Sequence, residues 1–238
     1  MPLDISPVSK IDFQGVVMTK ESQRAQLHKT IWQIANDLRG SVDGWDFKSY
    51  VLGMLFYRFI SESITAYLNE GEGEDFNYTD LPDEQAEPAR AEIVKEKGYF
   101  IAPSQLFQNV QKNAKNDENL NETLMDIFRS IEGSAVGTPS EDDFKGLFDD
   151  LNVNSPKLGN SVAERNEKLV KLLNAIATLP LGKFDDHTID IFGDAYEYLM
   201  TMYASQAGKS GGEFFTPQEV SELLARITIG DKKRLSSV

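Results

Sequence analysis

A mainly α-helical fold is predicted by three observations. Apolar residues recur at helical spacing in segment after segment, β-branched alternation is nearly absent, and glycine or proline sits at most of the breaks between segments. Residues 1–18 carry Pro2, Pro7 and Gly15 without periodicity and read as an unstructured lead-in. Leu27, Ile31, Ile34, Ala35 and Leu38 then form one apolar stripe that ends at Gly40, which leaves His28 off the stripe and solvated. From Asp46 to about Leu68 the chain is apolar nearly all round, the mark of a central helix. "EGEGEDFNYTD" (70–80) reads as a solvated acidic loop, and "PDEQAEPARAEIVKEKG" as one polar surface helix ending at Gly98. "YFIAPSQLFQNVQKN" holds an extended piece and then a helix opened by Pro103. Leu120, Leu124, Ile127, Phe128 and Ile131 give a further helix with Gly133 as its stop, followed by a turn and a short helix in "GTPSEDDFKGLFDDLN". Two more amphipathic helices, "SVAERNEKLVKLLNAIATL" and "IDIFGDAYEYLMTMYASQ", flank a break at Pro180-Leu181-Gly182. After a linker at "AGKSGG" comes a helix from 217 to about 227, then a basic turn and the first residues of a strand. A strand needs a ladder for its backbone donors and acceptors, so the reading expects a longer polypeptide that continues into a β core.

Composition narrows the chemistry. The 238 residues contain no cysteine, which excludes disulfides, zinc-thiolate sites, iron–sulfur clusters and thiol catalysis. Two histidines, His28 and His187, make a histidine-rich metal centre untenable, and no metal site is assigned. A formal charge of −14 opposes a phosphate backbone, so any nucleic-acid attraction must come from a local patch or a partner. The N-terminus lacks an apolar signal-peptide core, and "YVLGMLFYRFI" is too short for a membrane span and is interrupted by Arg58. The expectation is a soluble, cytoplasmic protein away from membranes.

Most motifs have plain explanations. "GKS" at 208–210 lacks the glycine a phosphate-binding loop needs five positions earlier, where Tyr203 stands. His187, beside Asp185 and Asp186, reads as an acidic helix start rather than a base or ligand. The stretch "GKSGGEFFTPQEVSELLARI" asks for more. Thr216 and Glu219 form a capping box, Pro217 sits at the first helical position, and Phe215 with Val220 makes a hydrophobic staple. Those roles leave Phe214 and the Lys209-Ser210-Gly211-Gly212 turn unexplained. From the residues alone, Phe214 either packs on the helix or walls a ligand pocket.

"GGEFFTPQEVSELLARI" resembles, nearly residue for residue, the segment ahead of the catalytic domain in the modification (M) subunit of type I restriction–modification systems. "LHKTIWQIANDLRGSVDGWDFKSYVLGMLFYRFISE", "YFIAPSQLF" and "IFGDAYEYLMTMYASQAGKSGGEFFTP" extend the resemblance over about residues 20–230. The resemblance implies a DNA adenine-N6 methyltransferase that uses S-adenosylmethionine. It also implies a helical domain that helps embrace DNA, with specificity (S) and restriction (R) subunits and a second M subunit as partners. Glu213, Phe214, Phe215, Thr216, Pro217 and Gln218 would be the cofactor-contacting stretch.

Family members continue with an Asp-Pro-x-Cys-Gly-Ser-Gly loop and an Asn-Pro-Pro-aromatic motif, neither of which is in these residues. No catalytic residue is therefore assigned, and the polypeptide by itself is expected neither to methylate DNA nor to bind the cofactor usefully. The implied organisation is a lead-in (1–18), a helical N-terminal domain (19–180), and a linker helix with the first helix and strand approach of a truncated Rossmann-like α/β methyltransferase domain (181–238). Two other readings stay open. One is an all-α protein-interaction module without cofactor; the other is a related adenine methyltransferase fused to its own restriction domain.

Overall fold

The computed structural model describes residues 20–37, 44–70, 76–179, 191–206, 216 and 218–229. Every regular element among them is helical, in agreement with the mainly α expectation. Helix α2 (Gly44–Glu70) is the centre of the bundle. Val51, Met54, Leu55, Tyr57 and Ile64 are fully buried along it, on more than one face, because neighbours cover it from several sides. Those neighbours are α5 (Phe107–Asn113), α8 (Val162–Ala177) and α9 (Ile191–Gln206). Helix α1 (Lys20–Asp37) lies on α9 and α8 through the predicted stripe, of which Leu27, Ile31 and Ile34 are buried. Each large aliphatic side chain buried in this way contributes about 1.5–3 kcal/mol.

Helix α6 (Leu120–Ser134) buries all five residues of its predicted stripe and packs on α8. Its capping is tertiary: the Asn121 backbone N–H donates to Asn166 Oδ1 on α8 at 3.0 Å, and Asn166 Nδ2 donates to the Glu118 carbonyl at 2.6 Å. Helix α8 opens with a capping box in which Ser161 Oγ accepts from the Glu164 N–H at 3.2 Å while the Glu164 carboxylate accepts from the Ser161 N–H. Ser161-Val162-Ala163-Glu164 carries the Ser-x-x-Glu spacing that marks such a box in a sequence.

Three local expectations are corrected. The surface helix expected through Gly98 is broken into α3 (Asp83–Ala86), a 3-10 turn (Glu87–Ala89) and α4 (Arg90–Lys97), with Pro88 inside the turn where its missing N–H is tolerated. Pro103 opens a 3-10 turn (Pro103–Gln105) rather than a helix; Leu106 is extended (ψ 139°), and α5 starts after it. Ser61 of α2 accepts from the Phe107 N–H at 3.1 Å, so the α5 N-terminus is capped from another element. Within the acidic segment, Tyr78 is not solvated: it is buried and its hydroxyl donates to the Ile101 carbonyl at 2.8 Å.

Gly98 does end α4, in the left-handed region (φ 82°), its N–H donating to the Val94 carbonyl at 2.8 Å. A Cβ there would collide with the Ser140 side chain, so glycine is required twice over. The short α7 (Glu141–Phe144) and the turn behind it bring Phe148 into a stack on Phe128 with ring centroids 4.3 Å apart. Tyrosine hydroxyls pin loops to helices elsewhere: Tyr50 donates to the Asn152 carbonyl, Tyr57 to that of Gln105 and Tyr99 to that of Ile60.

Arg58, the one charge inside the apolar run, has a structural role. Its Nη1 donates to the carbonyls of Ile176 (2.6 Å) and Leu179 (2.8 Å), closing the C-terminus of α8, and its Nε meets Glu62 Oε1 at 2.6 Å. The guanidinium thereby reinforces the Ile176 carbonyl, which also accepts from the Leu179 N–H at 3.1 Å, and supplies a donor to the Leu179 carbonyl beyond the helix end. Arg58→Ala is expected to lower stability by about 2–3 kcal/mol. Urea unfolding followed by circular dichroism should show the midpoint fall with an unchanged slope, and Arg58→Lys should recover only part of the loss.

Candidate functional site

The residues that carry chemistry by resemblance lie at the entry to α10 (Gln218–Ile229). Glu213, Phe214, Phe215 and Pro217 lie outside the described residues, as do His187 and the basic cluster Lys232-Lys233-Arg234. Thr216 is exposed immediately ahead of the helix, and Gln218 supplies its first backbone turn. The helix extends two residues beyond the expected end near 227, to Ile229.

The described part of α10 has two unlike faces. Glu222 and Arg226, four residues apart, pair on one side, with Arg226 Nε 2.9 Å from Glu222 Oε1. On the other, Val220, Leu223, Leu224 and Ile227 follow the spacing of an apolar stripe and are 44–68% exposed. The helix start offers N–H groups without intrahelical partners and the positive end of its dipole. Thr216, two residues before Gln218, is exposed.

Helix α9, which leads towards this segment, is packed into the bundle. Ala195, Leu199 and Met202 are buried with Leu27, Ile31 and Ile34 of α1 in one core. At the edge of that core Arg24 Nε lies 3.0 Å from both carboxylate oxygens of Asp194. Four residues along each helix, the His28 ring stacks on Tyr198 with centroids 4.1 Å apart and planes within 10°. The expectation that His28 is merely solvated is therefore corrected: α9 covers it, a neighbour that a one-helix pattern does not reveal. Burial lowers the His28 pKa from its ordinary 6.5, Arg24 lowers it further, and Asp194 and Glu197 oppose both.

Among the described residues two cavities can be placed, and Thr216 lines neither. One of about 220 Å³ is lined by Met125, Phe128, Arg129, Glu132 and Asn154; a more open one of about 350 Å³ is lined by Asp83, Glu84, Ser104 and Asn109. Among the described residues no cluster of His, Asp or Glu is arranged to hold a metal, and no helix is long and apolar enough to cross a membrane.

A family profile described as HsdM N-terminal domain matches residues 27–176, and one described as N-6 DNA methylase matches residues 187–238. The chain belongs to the HsdM family of type I restriction–modification methylase subunits. It is 52% identical to the type I restriction enzyme MpnII methylase subunit of Mycoplasma pneumoniae, over 92% of this chain and 42% of that protein. It is 24% identical to the MjaIX methylase subunit of Methanocaldococcus jannaschii, over 85% of this chain and 35% of that one. A solved structure of a type I restriction-modification methyltransferase subunit from Streptococcus thermophilus superposes with a TM-score of 0.69 at 30% identity, covering 88% of this chain and 44% of that one. The chain thus spans less than half the length of these relatives.

The depressed His28 pKa gives the α1–α9 contact a pH signature. As pH falls below 6.5, the unfolded chain takes up a proton that the folded imidazole resists, so protonation favours unfolding and stability declines until the lower folded pKa is passed. His28→Phe keeps a stacking ring without the titration. Its thermal midpoint, compared with wild type between about pH 7.5 and about pH 5.5, is expected to show the shallower acid decline.

Proposed function

We propose that this chain is the N-terminal part of a type I methylase subunit that transfers a methyl group from S-adenosylmethionine to adenine N6 in DNA. The observation that carries the reading is the Glu213–Gln218 stretch running into α10, inside the segment that matches the N-6 DNA methylase profile. S-adenosylmethionine, when bound, supplies an electrophilic methyl carbon on a sulfonium. Within this chain, Phe214 and Phe215 wall one side of the pocket and exclude water. The Thr216 hydroxyl and the first-turn N–H groups of α10 orient the polar end of the bound molecule. The groups that hold the extruded adenine are expected in the Asn-Pro-Pro-aromatic motif, which these 238 residues do not contain.

The organisation follows. Residues 1–18 form a lead-in, 19–180 a helical domain that embraces DNA and joins subunits, and 181–238 the linker helix and first elements of a Rossmann-like methyltransferase domain. A charge of −14 fits a subunit that leaves sequence reading to a specificity subunit. The other partners are a second methylase subunit and the restriction subunit, in the cytoplasm. The exposed stripe Val220, Leu223, Leu224 and Ile227 is the side of α10 that the remainder of the methyltransferase domain covers.

Two measurements test the reading. A full-length polypeptide co-expressed with its specificity subunit is expected to place labelled methyl groups on adenine N6 in DNA, detected by mass spectrometry of nucleosides. The 238 residues alone are expected to give neither product nor calorimetric heat with micromolar S-adenosylmethionine; heat at that concentration refutes the assignment of the missing pocket walls. For the stripe, Leu224→Lys should shift the stability of the 238-residue chain by no more than about 0.5 kcal/mol and cost the full-length protein about 2–4 kcal/mol.

A further inference from the structure

The cavity of about 220 Å³ between α6 and residues 148–154 has no part in the methylase reading. Its floor is apolar: Phe128, Phe148, Leu151 and Val153 are buried there and Met125 is half-buried. Its walls are held in place by neighbours. The Tyr50 hydroxyl donates to the Asn152 carbonyl at 2.7 Å, the Phe148 N–H donates to Glu132 Oε1 at 3.0 Å, and Asn121 Nδ2 donates to Asn154 Oδ1. Leu151 lies so near Gly53 of α2 that a Cβ there would stand 2.9 Å from its Cδ2. The cavity is therefore formed before anything enters it, which spares an incoming group the cost of ordering the site. Its rim is acidic. Glu132 and Asp149 line it together with Arg129, whose Nη1 is 3.9 Å from Asp126 Oδ1, so three carboxylates stand there against one guanidinium.

Size and charge select the occupant. Small-molecule sites enclose about 300–1,000 Å³; this cavity is smaller and takes one side chain of a larger molecule. A phosphate backbone is repelled by the rim. A wholly apolar side chain would strip water from the carboxylates and give them nothing in return. A cation on an apolar stem satisfies both layers. Arginine suits them better than lysine, since its guanidinium is weakly hydrated, stacks on aromatic rings and offers several N–H donors to two carboxylates at once. Glu132 has Oε2 to offer it, because Oε1 already holds the Phe148 N–H. We propose that this cavity is a docking socket for an arginine side chain on a partner protein. The stem lies along Met125, Phe128 and Leu151, and the guanidinium meets Glu132 and Asp149. The formal charge of −14 favours a basic partner in the same sense.

The test follows isotope-labelled methionine methyl groups of the 238-residue chain by nuclear magnetic resonance. Met125, in the cavity floor, reports on the site, and Met54, buried on α2, is the control. The probe is the capped tripeptide acetyl-Gly-Arg-Gly-amide, compared with the same peptide carrying citrulline (its uncharged isostere) or lysine in the central place. The arginine peptide is expected to move the Met125 resonance with a Kd of about 1 mM and to leave Met54 unmoved. Citrulline, lysine, and the double variant Glu132→Gln with Asp149→Asn are each expected to weaken binding about threefold to tenfold; glutamine keeps an acceptor for the Phe148 N–H. Asp142→Asn, exposed and away from the cavity lining, is expected to leave the Kd unchanged. No Met125 shift at about 20 mM peptide overturns the socket. Equal affinity for the citrulline peptide overturns cation recognition, and equal affinity for the lysine peptide overturns the choice of arginine. A loss with Asp142→Asn as large as with the double variant overturns the site in favour of general attraction to an acidic chain. The titration is repeated on the full-length subunit: binding retained there supports a separate partner, and binding lost there means that the rest of the subunit covers this face, which overturns the partner assignment.

Discussion

The constraint on which the bundle depends is the burial of α2. A helix apolar on nearly every side has no face to offer water, so the rest of the chain has to surround it. Helices α5, α8 and α9 do so directly, and each brings polar ends that need partners. Arg58 and Ser61, both on α2, meet two of those needs: Arg58 closes the end of α8 and Ser61 caps the start of α5. The central helix therefore supplies the apolar surface and also closes one end each of α5 and α8.

Sequence made much of this legible where the signal is periodic. Leu27, Ile31 and Ile34 of the α1 stripe and all five residues of the α6 stripe lie in the core as read, α2 is central, and Gly98 stops its helix in the left-handed conformation. The misreadings have a common cause. His28, Tyr78, Pro103 and the break at Glu87–Ala89 are decided by residues distant in sequence or by a single proline, neither of which a spacing rule registers. The role of Arg58 was invisible for the same reason, since its partners are about 120 residues away. For the candidate site, the motif and its helix were readable while its pocket was not. Glu213–Phe215 and Pro217 lie outside the described residues.

Placing α9 in the helical core changes how the two family segments relate. A profile boundary marks where sequences stop resembling one another; a mechanical boundary falls where packing is thin. Here the two differ, because α9 matches the methylase profile while its side chains fill the bundle. The segment that matches the methylase profile therefore begins with a helix that is fixed in the bundle.

The phenols that pin the loops carry one more consequence. Burial pushes the Tyr99 hydroxyl up to about 12 and raises those of Tyr57 and Tyr78 above the ordinary 10.0. In strong alkali the disordered chain releases these protons first, so the fold weakens as pH climbs past 10.0 towards the native values. The phenolate absorbance of these rings then arrives together with the collapse of the helices, because each one loses its proton when the carbonyl it was holding lets go.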